Sequence, residues 1–469
     1  FVMNWENDGY EIKNYRNADG SLKSRPQNTQ FFFKEAVSWN KVGTATPSFR
    51  FRDEEYAFND AAPSLFGDTQ DLLSAQSMLQ SSLFEYLLEL QGDTINLTTG
   101  VIKSLPAILL PEAASITQQA INIAKADWDS LEVSWDFEAS PLITYRDELL
   151  EANYRKWFEK SKQTTESMLS LEKENDRLYE NIVEGKVTNR TRDFQDITLF
   201  SSDSILNDEK FRSNTFADLV SYYIGCVMGR YSLIKKGIIS ASSVPYVKIS
   251  PEDYGAIAVD EDGIVPITDQ DWFKDDATNR FREFVQVVWG EEHLQENLDF
   301  VAESLCLHAI KPKKSESALE TIRRYLSTQF YKDHLKTYKK RPIYWLFSSG
   351  KQKAFECLVY LHRYNEGTLS RMRTEYVTPL LGKYDAYAEQ LEKQIETADS
   401  TSEANRFKKE LDALIKKQVE LREFDDKLKH YADMRISLDL DDGVKVNYGK
   451  FGDLLADVKA ITGSAPEVN

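Results

Sequence analysis

The stretch Ser48-Phe49-Arg50-Phe51-Arg52 decides whether this chain reads as all-helical or mixed. It is a short aromatic run with β-propensity, as is Phe31-Phe32-Phe33. Turn signals precede both, at Asn7-Asp8-Gly9 and Ala18-Asp19-Gly20. Downstream, Leu72, Leu73, Met78, Leu79, Leu83, Leu87 and Leu88 keep one apolar helical face until Asn96-Leu97-Thr98-Thr99-Gly100 breaks it. Residues 1–110 therefore predict a mixed α/β domain.

Working outward, residues 111–185 read as a helical spacer interrupted near Ser140-Pro141. Residues 186–300 are mixed, with turn-rich stretches at 244–254 and 260–266. A basic helical segment is expected over 301–365, and a helical hairpin with a tail over 366–469. In the hairpin, Leu380, Tyr384, Tyr387, Leu391 and Ile395 are followed, across a polar 397–405 loop, by Phe407, Leu411, Leu414, Leu421 and Leu428. Such spacing predicts an antiparallel pair with a coiled-coil seam. The fold class expected is α+β, a mixed N-terminal domain followed by mainly α-helical ones.

At 469 residues the chain exceeds one compact core, which suggests two to four domains. Three widely spaced cysteines (Cys226, Cys306, Cys357) make no disulfide framework and point to a reducing cytoplasm. The apolar run 101–111 is broken by Lys103 and Pro106, so no membrane span is expected. Phe1 is no initiator methionine, which suggests a chain that starts mid-protein.

Charge argues at first against nucleic acid, with 58 Lys and Arg against 76 Asp and Glu and a net −18. It is segregated, however. Residues 251–300 carry 14 acids against Lys274, Arg280 and Arg282, whereas 311–353 carry 12 bases against Glu316, Glu320 and Asp333. Aromatics interleave the basic set, and Lys and Arg neutralise phosphates while aromatics pack on sugars or unstacked bases. A solvated face pairing with the acidic neighbour is the plainer alternative.

Several chemistries fail on inspection. Ser348-Ser349-Gly350-Lys351 lacks the earlier glycine and the following Ser/Thr of a phosphate loop. Asp439-Leu440-Asp441-Asp442-Gly443 has Leu438 where a first calcium ligand would stand, and reads as a turn. Cys306, His308, Cys357 and His362 match no ordinary zinc spacing. The acids within Asp127-Trp128-Asp129-Ser130 and Ser134-Trp135-Asp136-Phe137 suit capping and local hydrogen bonding. No nucleophile elbow or dinucleotide loop is present, so no catalytic, cofactor or metal residue is assigned.

Val2 to Gly9, Phe32 to Trp39 and Pro47-Ser48-Phe49-Arg50 resemble the target-recognition region of single-chain adenine methyltransferases. The helix after them, with Asp93-Thr94-Ile95-Asn96 to Leu105-Pro106, looks like the element closing such a region. The Asp-Trp-Asp-Ser and Ser-Trp-Asp-Phe pair is similar to a signature of the PglX methyltransferases of BREX phage-defence systems. Ser221 to Cys226, Gly229 to Ser232, Asp271-Trp272-Phe273, Lys339 to Lys351 and Leu361 to Thr374 continue the likeness. Its most specific part is Arg341-Pro342-Ile343-Tyr344-Trp345-Leu346-Phe347.

The resemblance implies methyl transfer from S-adenosylmethionine to the amino group of adenine in duplex DNA. The family's Asn/Asp-Pro-Pro-Tyr motif and cofactor loop are missing here and are expected upstream of Phe1, so this stretch alone is expected to be inactive. Residues 1–110 then become a DNA target-recognition domain, with Lys34, Trp39, Lys41, Ser48, Arg50 and Arg52 as candidates, since Arg pairs bidentately with guanine. Trp39 and Phe49 read equally as core. Residues 301–365 become the DNA-contacting segment, with Lys313, Lys314, Arg323, Arg324, Lys332, Lys336, Lys339, Lys340 and Arg341 as phosphate contacts. The alternative is a scaffold docking other BREX components through the acidic stretch and the hairpin.

Overall fold

A computed structural model describes residues 3–43, 47–91, 96–145, 147–182, 191–240 and 257–464. The sequence stretches 93–95 and 244–254 singled out above lie outside the described residues. The chain forms two compact units, Phe1–Ala126 with Gln163–Ser202, and Asp127–Lys162 with Asp203–Asn469. The expected spacer 111–185 is thus shared between two bodies, through the long helices Ala113–Asp129 and Leu150–Glu180.

In the first unit β1 (Ala36–Trp39) pairs antiparallel with β2 (Phe49–Arg52) and β3 (Ser64–Leu65). The register sets Trp39 opposite Phe49, Val37 opposite Phe51 and Leu65, and Ser38 opposite Arg50 and Ser64. Because side chains alternate across a strand, one face is apolar and the other polar. The apolar face packs on helices Thr69–Leu79 and Ser82–Leu90, with Phe49 edge-on to Phe84 at 5.6 Å. Ser81 caps the second of these helices by accepting from the Phe84 amide at 3.2 Å.

Phe31-Phe32-Phe33 forms no strand: Thr29–Phe31 is a single helical turn and Phe33 has φ 58°. Three consecutive aromatics cannot share one pleated face, and each finds its own partner. Phe31 stacks on Phe66 at 4.8 Å, Phe32 meets Phe58 at 5.1 Å, and Phe33 meets Trp5 at 5.6 Å.

The second unit holds a sheet the sequence reading missed, β4 (Ile264–Pro266), β5 (Tyr344–Ser348) and β6 (Glu356–Tyr360), antiparallel in the order β4-β6-β5. The 301–365 segment is therefore not wholly helical. Helix Ala318–Tyr325 runs through a π turn, Leu326–Phe330, into helix Tyr331–Thr337, and then Pro342 and the aromatic run after it switch the chain to strand. Trp345 and Phe347 face Tyr448 and Phe451, while Tyr344 packs on His334 and Tyr360, so both sheet faces are covered.

Helices Thr378–Glu396 and Thr401–Asp433 make the expected hairpin. Leu380, Tyr384, Leu391, Leu414, Leu421 and Leu428 form its buried seam, with Tyr387, Phe407 and Leu411 at the margin. The Ser349–Gly350 turn between β5 and β6 docks on this hairpin: the Glu420 carboxylate accepts from Ser349 Oγ at 2.7 Å, Gln352 N at 2.7 Å and Ala354 N at 3.2 Å. A loop that resembles a phosphate cradle in sequence thus holds an internal carboxylate.

Candidate nucleic-acid interface

The outer face of the first sheet carries Arg50, Arg52, Ser38 and Ser64. Ser38 and Ser64 share a hydrogen bond at 2.9 Å. Arg52 is tied down: Nη1 donates to the Ala57 carbonyl at 3.0 Å, Nη2 to Ser64 Oγ at 3.4 Å, and its guanidinium lies 5.4 Å over Phe58. Arg50, two residues away on the same face, is exposed, and its guanidinium makes no hydrogen bond or ion pair among the described residues.

The other candidates of this unit divide. Lys34 is exposed, 5.5 Å over Phe31, beside an open recess lined also by Glu35, Glu54, Phe66 and Asp68. Lys41 is ion-paired with Asp60 at 2.7 Å, and Ser48 is half-buried at the start of β2. Trp39 is a core residue, only 4% exposed, with its indole N–H on the Leu97 carbonyl at 2.8 Å. Its ring is therefore unavailable to a base.

A similar division runs through the basic segment of the second unit. Arg323 is ion-paired with the buried Asp276 and donates to the Gln270 carbonyl at 3.0 Å. Arg324 grips Glu316 through Nε at 2.9 Å and Nη2 at 2.6 Å, which holds the Glu316 carboxyl below its usual range. Both guanidinium groups are thus engaged by carboxylates of the same chain. Lys313 stands 3.9 Å from Glu316 and Lys314 is exposed.

Of the other candidate cations, Lys336, Lys339 and Lys340 lie at a helix C-terminus and Lys332 in the first turn of the same helix. Lys332 and Lys336 lie one turn apart on helix Tyr331–Thr337, and Lys339 and Lys340 follow it in left-handed conformation at φ 50° and 60°. All four are exposed, and their ammonium groups have no partner among the described residues; Arg341 is exposed but engaged. Cations here complement the helix C-terminus. Two adjacent non-glycine residues in this conformation store backbone strain, which the surroundings must hold. Lys340 N donates to the Leu335 carbonyl at 2.7 Å and Arg341 N to that of Tyr338 at 2.9 Å.

His334 holds the backbone that follows these lysines, a role the sequence did not signal. Its Nε2 accepts from the amides of Ile343 at 3.1 Å and Tyr344 at 3.2 Å, fixing the chain just after the lysines. Burial, with the nearby Arg230 charge, pushes its pKa down to about 3, so the ring stays neutral and keeps its acceptor.

Other sequence features resolve locally. Ser134 Oγ donates to Asp129 at 2.6 Å and accepts from Asp136 N at 3.2 Å, the capping expected, and this turn holds Trp135 out at 73% exposure. Asp439 accepts from Asp441 N at 3.0 Å in the turn at 439–443. In the acidic stretch, Asp276 caps helix Ala277–Trp289, Asp260 accepts the Gly263 and Ile264 amides, and Asp262 and Asp275 receive the Tyr376 hydroxyl. Glu291, Glu292, Glu296 and Asp299 remain exposed. Cys226 and Cys357 are buried, and all three cysteines are free thiols. Among the described residues no helix is long and apolar enough to cross a membrane.

No family model matches the chain. It is 48% identical over 484 aligned positions to the adenine-specific methyltransferase BrxX of Escherichia coli O9:H4 (strain HS), covering 100% of this chain and 39% of that protein. It is 33% identical over 484 positions to the adenine-specific methyltransferase PglX of Lacticaseibacillus casei (strain Zhang), covering 98% of this chain and 38% of that protein. The chain thus spans about two fifths of the length of the curated relatives it matches. Identity at this level over essentially every residue places the chain in the PglX/BrxX family of adenine-specific methyltransferases.

Proposed function

We propose that this chain is the DNA-binding and sequence-recognition portion of an S-adenosylmethionine-dependent adenine methyltransferase of a BREX phage-defence system, acting in the cytoplasm. It grips duplex DNA so that a target adenine can be flipped out and methylated by a catalytic domain elsewhere in the protein. The stretch has no methyl-transfer activity of its own.

The observation that carries this reading is the sorting of the cations. Arg323 and Arg324 are engaged by internal carboxylates, whereas Lys332, Lys336, Lys339 and Lys340 stand exposed on and just after one helix, with no side-chain partner among the described residues. Clustered free ammonium groups are what backbone phosphates require. Arg50 supplies a free guanidinium on a polar sheet face, as base-edge reading requires.

The test is duplex affinity measured against salt. Replacing the four lysines with Ala should weaken binding to all sequences alike and flatten the log–log salt slope by about 0.9 per lost contact. An unchanged slope would remove the clamp. Incubation with duplex and labelled S-adenosylmethionine should give no methylated product.

A further inference from the structure

Arg230 follows Gly229 at the end of helix Asp208–Val227 in the second unit and is 8% exposed. Its Nε donates to the Tyr231 hydroxyl at 2.9 Å and its Nη1 to the Tyr360 hydroxyl at 3.2 Å, and Tyr360 donates onward to the Ser240 carbonyl at 2.6 Å. A guanidinium has five donors, and these are the two whose acceptors are seen among the described residues. No described carboxylate pairs with it. Glu132, the acid whose charge reaches the same tyrosines, accepts from Ser221 Oγ at 2.5 Å and the Tyr338 hydroxyl at 2.9 Å and makes no direct hydrogen bond or ion pair with Arg230.

A buried cation is ordinarily matched by an anion, because desolvating it alone is costly. Among the described residues the other buried arginine, Arg192, obeys that rule and pairs with Asp176 at 2.7 Å, and the half-buried Arg323 pairs with Asp276. Arg230 is instead boxed by tyrosines, and two polar atoms of the same box, the Tyr344 hydroxyl and His362 Nδ1, are buried with no hydrogen-bond partner. Gly225 makes the box possible, since a side chain there would meet the Tyr231 ring at 2.4 Å.

We propose that Arg230 forms the floor of an anion site that takes a phosphoryl group, gripped by the unoccupied edge of the planar guanidinium. That fork suits two oxygens of a tetrahedral phosphate, and the tyrosine hydroxyls hold it in orientation. The phosphate belongs either to a DNA backbone or to a free phosphorylated ligand. The site stands on the guanidinium edge that no described carboxylate bonds and on the two unpartnered polar atoms beside it, and is independent of the duplex reading above.

The full chain is melted in inorganic phosphate and in chloride at matched ionic strength. The wild type should show a saturable, phosphate-specific rise in Tm that is absent in Arg230→Gln; a non-saturating rise common to both is general salt stabilisation. Should Arg230→Gln fail to fold, Tyr360→Phe keeps the charge but loosens its orientation and should shift the phosphate midpoint upward several-fold. No saturable rise in the wild type, or a full rise in folded Arg230→Gln or in Tyr360→Phe with an unchanged midpoint, overturns the site. In a parallel duplex titration, a salt slope lower by about 0.9 in Arg230→Gln assigns the phosphate to DNA. An unchanged slope alongside a lost phosphate response assigns it to a free ligand.

Discussion

Each unit contains a three-stranded antiparallel sheet with its central strand flanked on both sides, yet the two sheets do opposite work. In β5 and β6 nearly every residue is buried, because helices and the C-terminal segment cover both faces. In β2 only Phe49 is buried, and Arg50 is an exposed residue, although partial burial of its guanidinium pushes its pKa down. Similar topology therefore yields a buried core in one unit and a presenting surface in the other. Covering a second face is what turns a sheet from an interface into a scaffold.

Substitution along single strands tests this most strongly. Adjacent residues Tyr344 and Trp345 point to opposite faces of β5, and replacing either with Ala should cost about 3–5 kcal/mol in chemical denaturation. On β2, Phe49→Ala should cost as much, whereas Arg50→Ala should stay within about 0.5 kcal/mol. An Arg50→Ala loss above about 1 kcal/mol would mean that the outer face is not open.

The units should also part in their response to pH, read by hydrogen exchange in each. His334 in the second unit is depressed to about 3 from 6.5, so its contribution is present above pH 6.5 and is lost as pH falls toward 3. The slope is at most about 1.4 kcal/mol per pH unit. Glu172 in the first unit is raised to about 7 from 4.5, chiefly by burial, with Arg192 at 3.3 Å opposing the shift. Its contribution is full below pH 4.5 and is lost as pH rises toward 7, so Glu172→Gln should flatten that fall and stabilise the first unit at pH 8.

Smaller effects sharpen the same contrast. Glu420→Ala strands the Gln352 and Ala354 amides at the β5–β6 turn and should cost about 1–2 kcal/mol in thermal or urea unfolding. The Arg50→Ala change, silent in stability, should lower the duplex salt slope by about 0.9 if the arginine meets a phosphate. If it reads a guanine edge, binding selection from random duplexes should lose information at one position only.

Much of the architecture is legible in residue order. The Leu380-to-Leu428 spacing implies the hairpin because a helical seam is a local periodic property. Ser48 to Arg52 implies a strand. The β5–β6 hairpin escaped because both strands are buried on two faces and show no polar–apolar alternation, and because Ser348 to Lys351 invites comparison with a phosphate loop rather than a hairpin turn.

Sequence by itself determined the family likeness, the helical seam and the segregation of charge, all of which depend on neighbouring residues and their spacing. Tertiary structure decided which charges are free. Arg323 and Arg324 are as basic in sequence as Lys339 and Lys340, but Asp276 lies 47 residues from Arg323 and the fold brings the two together. The same folding left Arg230 buried without a described counter-ion. Whether a cation is spent on its own protein or offered to a ligand depends on through-space partners, and linear order does not contain them.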